Sequence, residues 1–165
     1  MPLTPFHLGP GLFLGALTVR FFNFWAILLG SIVMDFEPAV SLLSGKCYQC
    51  PHHGLFHSIL GAVLGSLILS LFLWKFKKNL NQISLKWIGV QQSFSFPVLF
   101  FSSLLSWIIH IFFVSLTHSD VFPLLPSRYN PILIGPEIYW PLNLILLIFG
   151  IFGLFLLIKR KKSLK

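Results

Sequence analysis

This chain contains three long apolar stretches separated by polar segments, a pattern that predicts three membrane-spanning helices. They occupy residues 54–74, 94–117 and 138–158, and each reaches the length of about 20 residues that an apolar helix needs to cross a bilayer. The first and the third end in basic residues. Tyr139 and Trp140 lie at the opposite end of the third stretch, where interfacial aromatic residues are common. The pattern predicts an all-α integral membrane protein.

The N-terminal stretch differs because polar residues interrupt its apolar run. Arg20 and Asn23 fall in the middle of residues 12–34, and an arginine inside a bilayer is energetically costly. We expect two short helices, residues 5–19 and 23–34, forming a hairpin with Arg20 at its turn. One further span across residues 12–34 is the alternative. No segment remains for a soluble domain, so residues 1–165 are expected to form a single membrane domain.

Composition and charge agree with this topology. Hydrophobic residues make up 56% of the chain and charged residues 10%, too little polar surface to coat a water-soluble domain. The net charge of +8 comes from basic clusters at residues 75–78 with Lys86 and at residues 159–165, a pattern typical of cytoplasmic segments. We therefore expect a multi-pass protein of the cell or inner membrane with a basic cytoplasmic C-terminal tail. Anionic membrane lipids are expected partners, and nucleic acid is not, because no groove of aromatic and arginine residues accompanies the charge. The first residues lack the basic region and cleavage site of a signal peptide and are taken as mature sequence.

In this topology the acidic residues and most of the histidines lie on the extracytoplasmic side. They are Asp35, Glu37, Asp120 and Glu137, with His52, His53, His57 and His118. His110 lies about two turns inside its predicted helix, and the hairpin brings His7 beside Asp35. Ionisable residues within membrane segments usually mark functional sites, so the distribution predicts one polar site at this face.

Spacing refines the prediction. His53 and His57 are four residues apart at the start of a predicted helix, which places both rings on one face. His110 and His118 are eight residues apart, about 80° around a helix axis. Each residue also has a plainer interpretation. A histidine such as His57 or His110 can simply bond a neighbouring polar group, and Asp35 and Glu37 can form a polar cap that ends a helix before Pro38. His118 and Asp120 can lie in a solvated loop, and Glu137 can be an interfacial charge.

Histidines and carboxylates together form the mixed ligand set of a hydrolytic divalent metal centre, with Zn as our first choice and Mn or Fe as alternatives. Such a centre needs no activated serine or cysteine, and the chain has neither a nucleophile elbow nor a phosphate-binding loop. Cys47 and Cys50 form a C-x-x-C pair. A disulfide, a zinc clip with a histidine and two free thiols are all consistent with it, and we favour a local structural role. The small residues Ser58, Gly61, Ala62, Gly65 and Ser66 predict a helix-packing face.

Four motifs resemble the YdjM-like family of membrane-bound metal-dependent hydrolases. They are TPFHLGPGLFLG at residues 4–15, GSIVMDFEP at 30–38, HGLFHSILGA at 53–62, and IIHIFFVSLTHSDVFPLLP with a following NP at 108–131. The layout is also faintly similar to the zinc-dependent phospholipase C and P1 nuclease group. The resemblance implies an α-helical membrane protein whose metal site draws on His7, Asp35, His53, His57, His110, His118 and Asp120.

We therefore expect a membrane-embedded hydrolase that acts on a phosphoester or similar bond of a lipid or membrane-proximal substrate. The expected ligands are His7, Asp35, His57, His110, His118 and Asp120, with Glu37 or His53 as the proton carrier. One departure from the family pattern is Val114, where the family has an aspartate four residues after the histidine equivalent to His110. Three explanations of this missing ligand stay open. Asp120 or Glu37 takes the place of the aspartate, the site holds fewer ions, or the chain is a non-catalytic metal-binding scaffold.

Overall fold

The computed structural model describes residues 5–45 and 52–163, which form helices and turns with no strand among them. The helices are α1 (Leu8–Thr18), α2 (Phe24–Gly30), α3 (Phe36–Leu43), α4 (Ile59–Lys75), α5 (Lys77–Trp87), α6 (Phe96–Ser115) and α7 (Tyr139–Ser163). Short 3₁₀ turns precede α1, α3, α4 and α7. Cys47 and Cys50 lie outside the described residues.

Three helical stretches are long and apolar enough to cross a membrane. They are Phe24–Leu43, Phe96–Ser115 and Pro136–Lys162. The predicted span at residues 54–74 corresponds to α4, which reaches the required length only together with α5, and these two helices are bent by 82°. The prediction of an all-α membrane protein with long spans and a shorter N-terminal helix is confirmed.

The predicted N-terminal hairpin is present, but its second arm extends further than expected. Helices α1 and α2 flank a turn where Arg20 is exposed, and the Asn23 side chain caps α2 by accepting a hydrogen bond from the Ala26 backbone at 3.0 Å. The prediction that this arm ends at residue 34 is wrong. Pro38 stands in the first turn of α3, where no intrahelical N–H is required, so it begins a helix instead of stopping one.

The other predicted boundaries shift for local reasons. Helix α4 begins at Ile59 instead of residue 54, because Ser58 caps it by accepting a hydrogen bond from the Gly61 N–H at 3.1 Å. Helix α6 stops at Ser115, two residues short of the prediction, whereas α7 continues through the basic residues to Ser163. The expected helical geometry of His53 with His57, and of His110 with His118, is therefore wrong, since only His110 lies within an α-helix.

Small residues allow the helices to pack closely. Helix α1 lies against α7, and a Cβ added at Gly153 would come within 2.6 Å of the Phe13 backbone N. The predicted packing face on α4 is confirmed, because its five small residues are all buried and α4 packs on α6. The Ser103 hydroxyl of α6 donates to the Ser66 carbonyl at 3.3 Å. Trp107 is 1% exposed and forms the centre of the core.

Two basic residues of α7 contact neighbouring helices at one end of this bundle. Arg160 of α7 donates a hydrogen bond to the Ala16 carbonyl near the end of α1, and the Lys161 ammonium lies 5.8 Å from the centre of the Trp87 ring of α5. His7 lies at the opposite end of α1. The bundle thus separates a basic end from a histidine-rich end.

Candidate metal centre

Five of the six histidines and three of the four acidic residues of the chain form one cluster at the histidine-rich end. Six segments contribute to it: the turn before α1 (His7), the turn between α2 and α3 (Asp35), α3 (Glu37), the loop before α4 (His53 and His57), α6 (His110) and the loop after α6 (His118 and Asp120). All eight predicted site residues are therefore brought together.

The deepest part of the cluster contains His7, Asp35 and His110. One potential ligand atom from each lies within 4.8 Å of the other two. His7 Nδ1 is 2.9 Å from Asp35 Oδ2, and His110 Nε2 is 3.3 Å from Asp35 Oδ1. Asp35 is 4% exposed and His110 is also 4% exposed. These three residues could hold a metal ion.

His110 supplies a test of whether a cation fits this group. Its Nδ1 lies 2.8 Å from the Ser31 carbonyl oxygen, which can only accept, so this nitrogen carries a hydrogen. In the neutral ring, Nε2 is then an acceptor, and it faces another acceptor, Asp35 Oδ1. Two acceptors in a buried position repel each other unless a cation or a proton lies between them. The donor set therefore fits a divalent metal.

Glu37 orients His57. Its Oε2 accepts hydrogen bonds from His57 Nδ1 at 3.0 Å and from the Gly54 N–H at 2.9 Å, while Oε1 accepts one from the Phe56 N–H at 3.4 Å. Because its acceptors are engaged in this way, Glu37 is better placed to position His57 than to carry protons, which was one of the predicted roles. The opposite ring nitrogen, His57 Nε2, is buried and has no hydrogen-bond partner among the described residues.

Asp120 orients His53 in the same manner. Asp120 Oδ2 accepts hydrogen bonds from His53 Nδ1 at 2.9 Å and from the backbone N–H groups of His52 and His53 at 3.0 and 3.3 Å. Metal-binding histidines commonly donate their second ring N–H to a carboxylate or a carbonyl group. Asp120, predicted as a ligand, thus occupies the position of a partner that fixes such a histidine.

His118 is held by its own loop and by Asn130. His118 Nδ1 lies 3.2 Å from the Val114 carbonyl oxygen. Asn130 Nδ2 donates hydrogen bonds to the carbonyl groups of Ser115 at 2.8 Å and of His118 at 3.3 Å, tying the end of α6 to the loop. Asn130 belongs to the NP pair that closes the fourth motif, but no role for its side chain was predicted.

The histidine rings connect these groups into one continuous site. Ring centres lie 4.4 Å apart for His7 and His110, 5.6 Å for His110 and His57, 4.5 Å for His57 and His53, and 4.9 Å for His53 and His118. All five rings have Nδ1 close to an oxygen atom. As a result, Nε2 of His57 is the ring nitrogen left free to accept. In His110, Nε2 is the ring nitrogen that faces Asp35.

Burial keeps the loop histidines uncharged. It lowers the pKa of His57 to about 4 and the pKa of His118 also to about 4, so both rings are neutral at pH 7, the form that binds metals. Burial alone would raise the pKa of Asp120, but the hydrogen bonds from His53 and from the backbone hold this pKa below its ordinary value. The loop part of the site thus combines neutral imidazoles with an ionised carboxylate.

Two further predicted residues remain outside the cluster. His52 Nδ1 lies 3.1 Å from the Ser41 hydroxyl, and only the His52 backbone reaches Asp120. Glu137 is exposed, as expected for an interfacial charge.

Comparisons with protein-family models, with curated proteins and with solved structures found no match to this chain. The family resemblance drawn from the four motifs therefore stays a prediction.

Proposed function

We propose that this chain is a membrane-embedded, metal-dependent hydrolase that cleaves a phosphoester or similar bond of a lipid or membrane-proximal substrate. The observation that carries the proposal is the pair of buried ring nitrogens His57 Nε2 and His110 Nε2, neither of which makes a hydrogen bond among the described residues. The neighbour of His110 Nε2 is Asp35 Oδ1 at 3.3 Å, an acceptor that needs a proton or a cation between the two atoms. A buried polar atom without a partner is costly, and here both atoms belong to rings fixed in the orientation of metal ligands. Zinc suits this nitrogen and oxygen donor set, with Mn or Fe as alternatives.

Within this proposal, different residues bind the ion and transfer the proton. His7, Asp35 and His110 hold one ion, and the rings of His57, His53 and His118 extend the site towards the loops. A bound divalent ion would lower the pKa of a coordinated water and polarise the substrate oxygen. His53, with its Nδ1 held by Asp120, is the proton carrier.

The basic end of the bundle supports an orientation for the site. Basic segments next to spans are usually retained on the cytoplasmic side, and the cluster lies at the opposite end, so an extracytoplasmic site is part of the proposal. The motif resemblance to the YdjM-like hydrolases supports the same chemistry.

Metal content is the first test. Purified, detergent-solubilised wild type should contain stoichiometric Zn, Mn or Fe by elemental analysis, and a His57→Ala, His110→Ala double variant should lose it. His52→Ala is the matched control, since its ring lies outside the cluster, and it should retain the metal. A wild type that binds no metal even after reconstitution contradicts the proposal.

Activity is the second test. Metal-loaded wild type should hydrolyse a chromogenic phosphodiester, and removal of the ion by a chelator should abolish turnover until the ion is restored. If protein shown to be metal-loaded cleaves neither this compound nor any other candidate phosphoester, the hydrolase proposal fails.

Val114 favours a second candidate, a non-catalytic metal-binding scaffold. This residue is 2% exposed and its side chain offers no ligand atom where the resembling family has an aspartate. A scaffold should be stabilised against thermal unfolding by the metal, because a ligand that binds the folded state raises its stability. It should nevertheless show no turnover. Val114→Asp distinguishes the two, because it should raise turnover in a weakened enzyme and leave a scaffold inactive.

A further inference from the structure

A long apolar groove lies beside the histidine cluster. Its cavity volume is about 620 Å³, within the range of small-molecule sites. One wall is formed by Val33, Phe36 and Val40 of the α2–α3 stretch, and the other by Ile68 and Phe72 of α4. Trp107 of α6 contributes to the floor.

The groove opens sideways from the bundle. Phe36 is 71% exposed and Ile68 is 61% exposed, whereas Trp107 is almost fully buried. One wall belongs to Phe24–Leu43, which is long and apolar enough to cross a membrane, and the other belongs to α4, which qualifies together with α5 as a bent pair. In a bilayer, the exposed apolar faces of such helices contact lipid acyl chains.

The floor of the groove, formed by Trp107, depends on the absence of a side chain at Gly65. A Cβ placed on Gly65 would collide with the Trp107 ring, so the indole lies directly against the α4 backbone. The Trp107 indole N–H is satisfied by the Phe56 carbonyl at 2.8 Å, which leaves no open donor on the floor. The groove surface therefore offers apolar contacts along its length.

One residue joins the groove to the candidate metal centre. Glu37 is the charged residue among those that line the groove, and its Oε2 accepts the hydrogen bond from His57 Nδ1. The groove is therefore lined in part by the carboxylate that orients a ring of the cluster. From Gly65 to Phe72 the α4 wall alone runs about 10 Å, leading away from the cluster into the apolar part of the bundle.

We propose that this groove holds an acyl chain of the substrate, so that the substrate is a membrane lipid whose phosphoester reaches the histidine cluster while its chain lies between α3 and α4. The inference rests on the proposed function and narrows its substrate class. A lipid enters sideways from the bilayer without leaving it. Hydrolysis then breaks the bond between phosphorus and the leaving oxygen. The hydroxyl of the water goes to phosphorus and the proton goes to the leaving oxygen.

Chain binding can be measured without catalysis. The probe is a glycerophospholipid with a diazirine in the middle of one acyl chain, mixed at equimolar amount with metal-free protein in maltoside micelles and photolysed. Peptide mass spectrometry should place the label on residues 33–40 and 65–72. Ile68→Trp and Val40→Trp fill the groove from opposite walls and should each lower this labelling several-fold. Leu71→Trp is the control: it adds the same bulk on α4 at a position that is 53% exposed and outside the groove.

The outcomes separate the two proposals. Label spread evenly over the exposed faces of α4 and α7, or labelling unchanged by both groove variants, overturns the acyl-chain inference even if a soluble phosphodiester is hydrolysed. Localised labelling that both groove variants reduce and the control does not supports the inference, even if every hydrolysis assay is negative. In active protein, the groove variants should lower turnover of the long-chain lipid several-fold more than they lower turnover of the chromogenic phosphodiester.

Discussion

His57 Nδ1 lies 3.0 Å from Glu37 Oε2, and the other nitrogen of the same ring is buried without a partner among the described residues. Glu37 thus fixes which face of the imidazole is offered to the centre of the cluster. The same carboxylate lines the apolar groove. A change at Glu37 should therefore affect the candidate metal centre through His57, and the proposed ion need not touch Glu37 itself.

Glu37→Gln should weaken metal binding without abolishing it. Loss of the carboxylate removes the charge that makes His57 a stronger ligand, and changes at such partners typically lower metal affinity by about 10- to 100-fold. Competition with a chromophoric chelator measures this affinity in detergent. The exposed Glu137→Gln variant is the control and should bind as the wild type does. Equal affinities for Glu37→Gln and wild type would contradict the positioning role.

Acid should destabilise the metal-free protein over a defined range. Burial lowers the pKa of His57 from 6.5 to about 4 in the folded protein, so between these values the unfolded chain binds more protons. The free energy of unfolding therefore falls as the pH drops through this range, and the contribution is fully present above about pH 6.5.

Thermal unfolding in detergent between about pH 8 and pH 4 checks this dependence, which should be shallower in His57→Gln because the glutamine does not titrate. His118 contributes in the same direction, so some dependence should remain in the variant. A wild type equally stable at both ends of the range would show that the prediction is wrong.

Asn130→Ala should loosen the loop that carries His118. The variant loses hydrogen bonds to the Ser115 and His118 carbonyl groups, each worth about 0.5–1.5 kcal/mol. We expect a lower melting temperature together with a lower metal affinity. Asn143→Ala serves as a comparison, because the Asn143 side chain donates a hydrogen bond to the Tyr139 carbonyl within its own helix α7. This variant should leave the metal affinity unchanged.

Gly153→Leu should separate α7 from α1. The added side chain would press on the backbone of Leu12 and Phe13, and overpacking of this kind costs about 1–3 kcal/mol or more. A thermal melt in detergent should show the loss. Ile151→Leu, at a position on α7 that is 60% exposed, should melt with the wild type. An unchanged melting temperature for Gly153→Leu would argue against the close contact between these helices.

The broad architecture was predictable because it depends on apolar runs and on the cost of charge in lipid. Arg20 and Asn23 indicated the N-terminal hairpin, and the hairpin in turn placed His7 beside Asp35, a contact of 2.9 Å in the structure. Segments with opposite charge bias also indicated which loops would supply the cluster. These inferences use hydropathy and chain connectivity alone, which a single sequence contains.

The local geometry was not predictable in the same way. His53 and His57 do meet, with ring centres 4.5 Å apart, but through a 3₁₀ turn that ends at the Ser58 cap and not through an α-helical face. The plainer interpretation of Asp35 and Glu37, a polar cap that ends a helix before Pro38, does not hold, because Glu37 and Pro38 stand in the first turn of α3. Helix α5 was missed because its lysine and asparagine residues interrupt the apolar pattern. The groove depends on how α3 faces α4, a tertiary relationship that no local pattern specifies.

The contact between α1 and α7 also sets an order of events during synthesis. His7 enters the cluster from the segment just before α1, yet α1 rests on α7, which follows the other six described helices along the chain. Contacts between such distant segments form late, and domains are assembled as the chain emerges. We therefore expect the three-residue group of His7, Asp35 and His110 to reach its full stability after α7 has been inserted. A ribosome-stalled chain that lacks α7 should bind the ion poorly even though every ligand has already been translated.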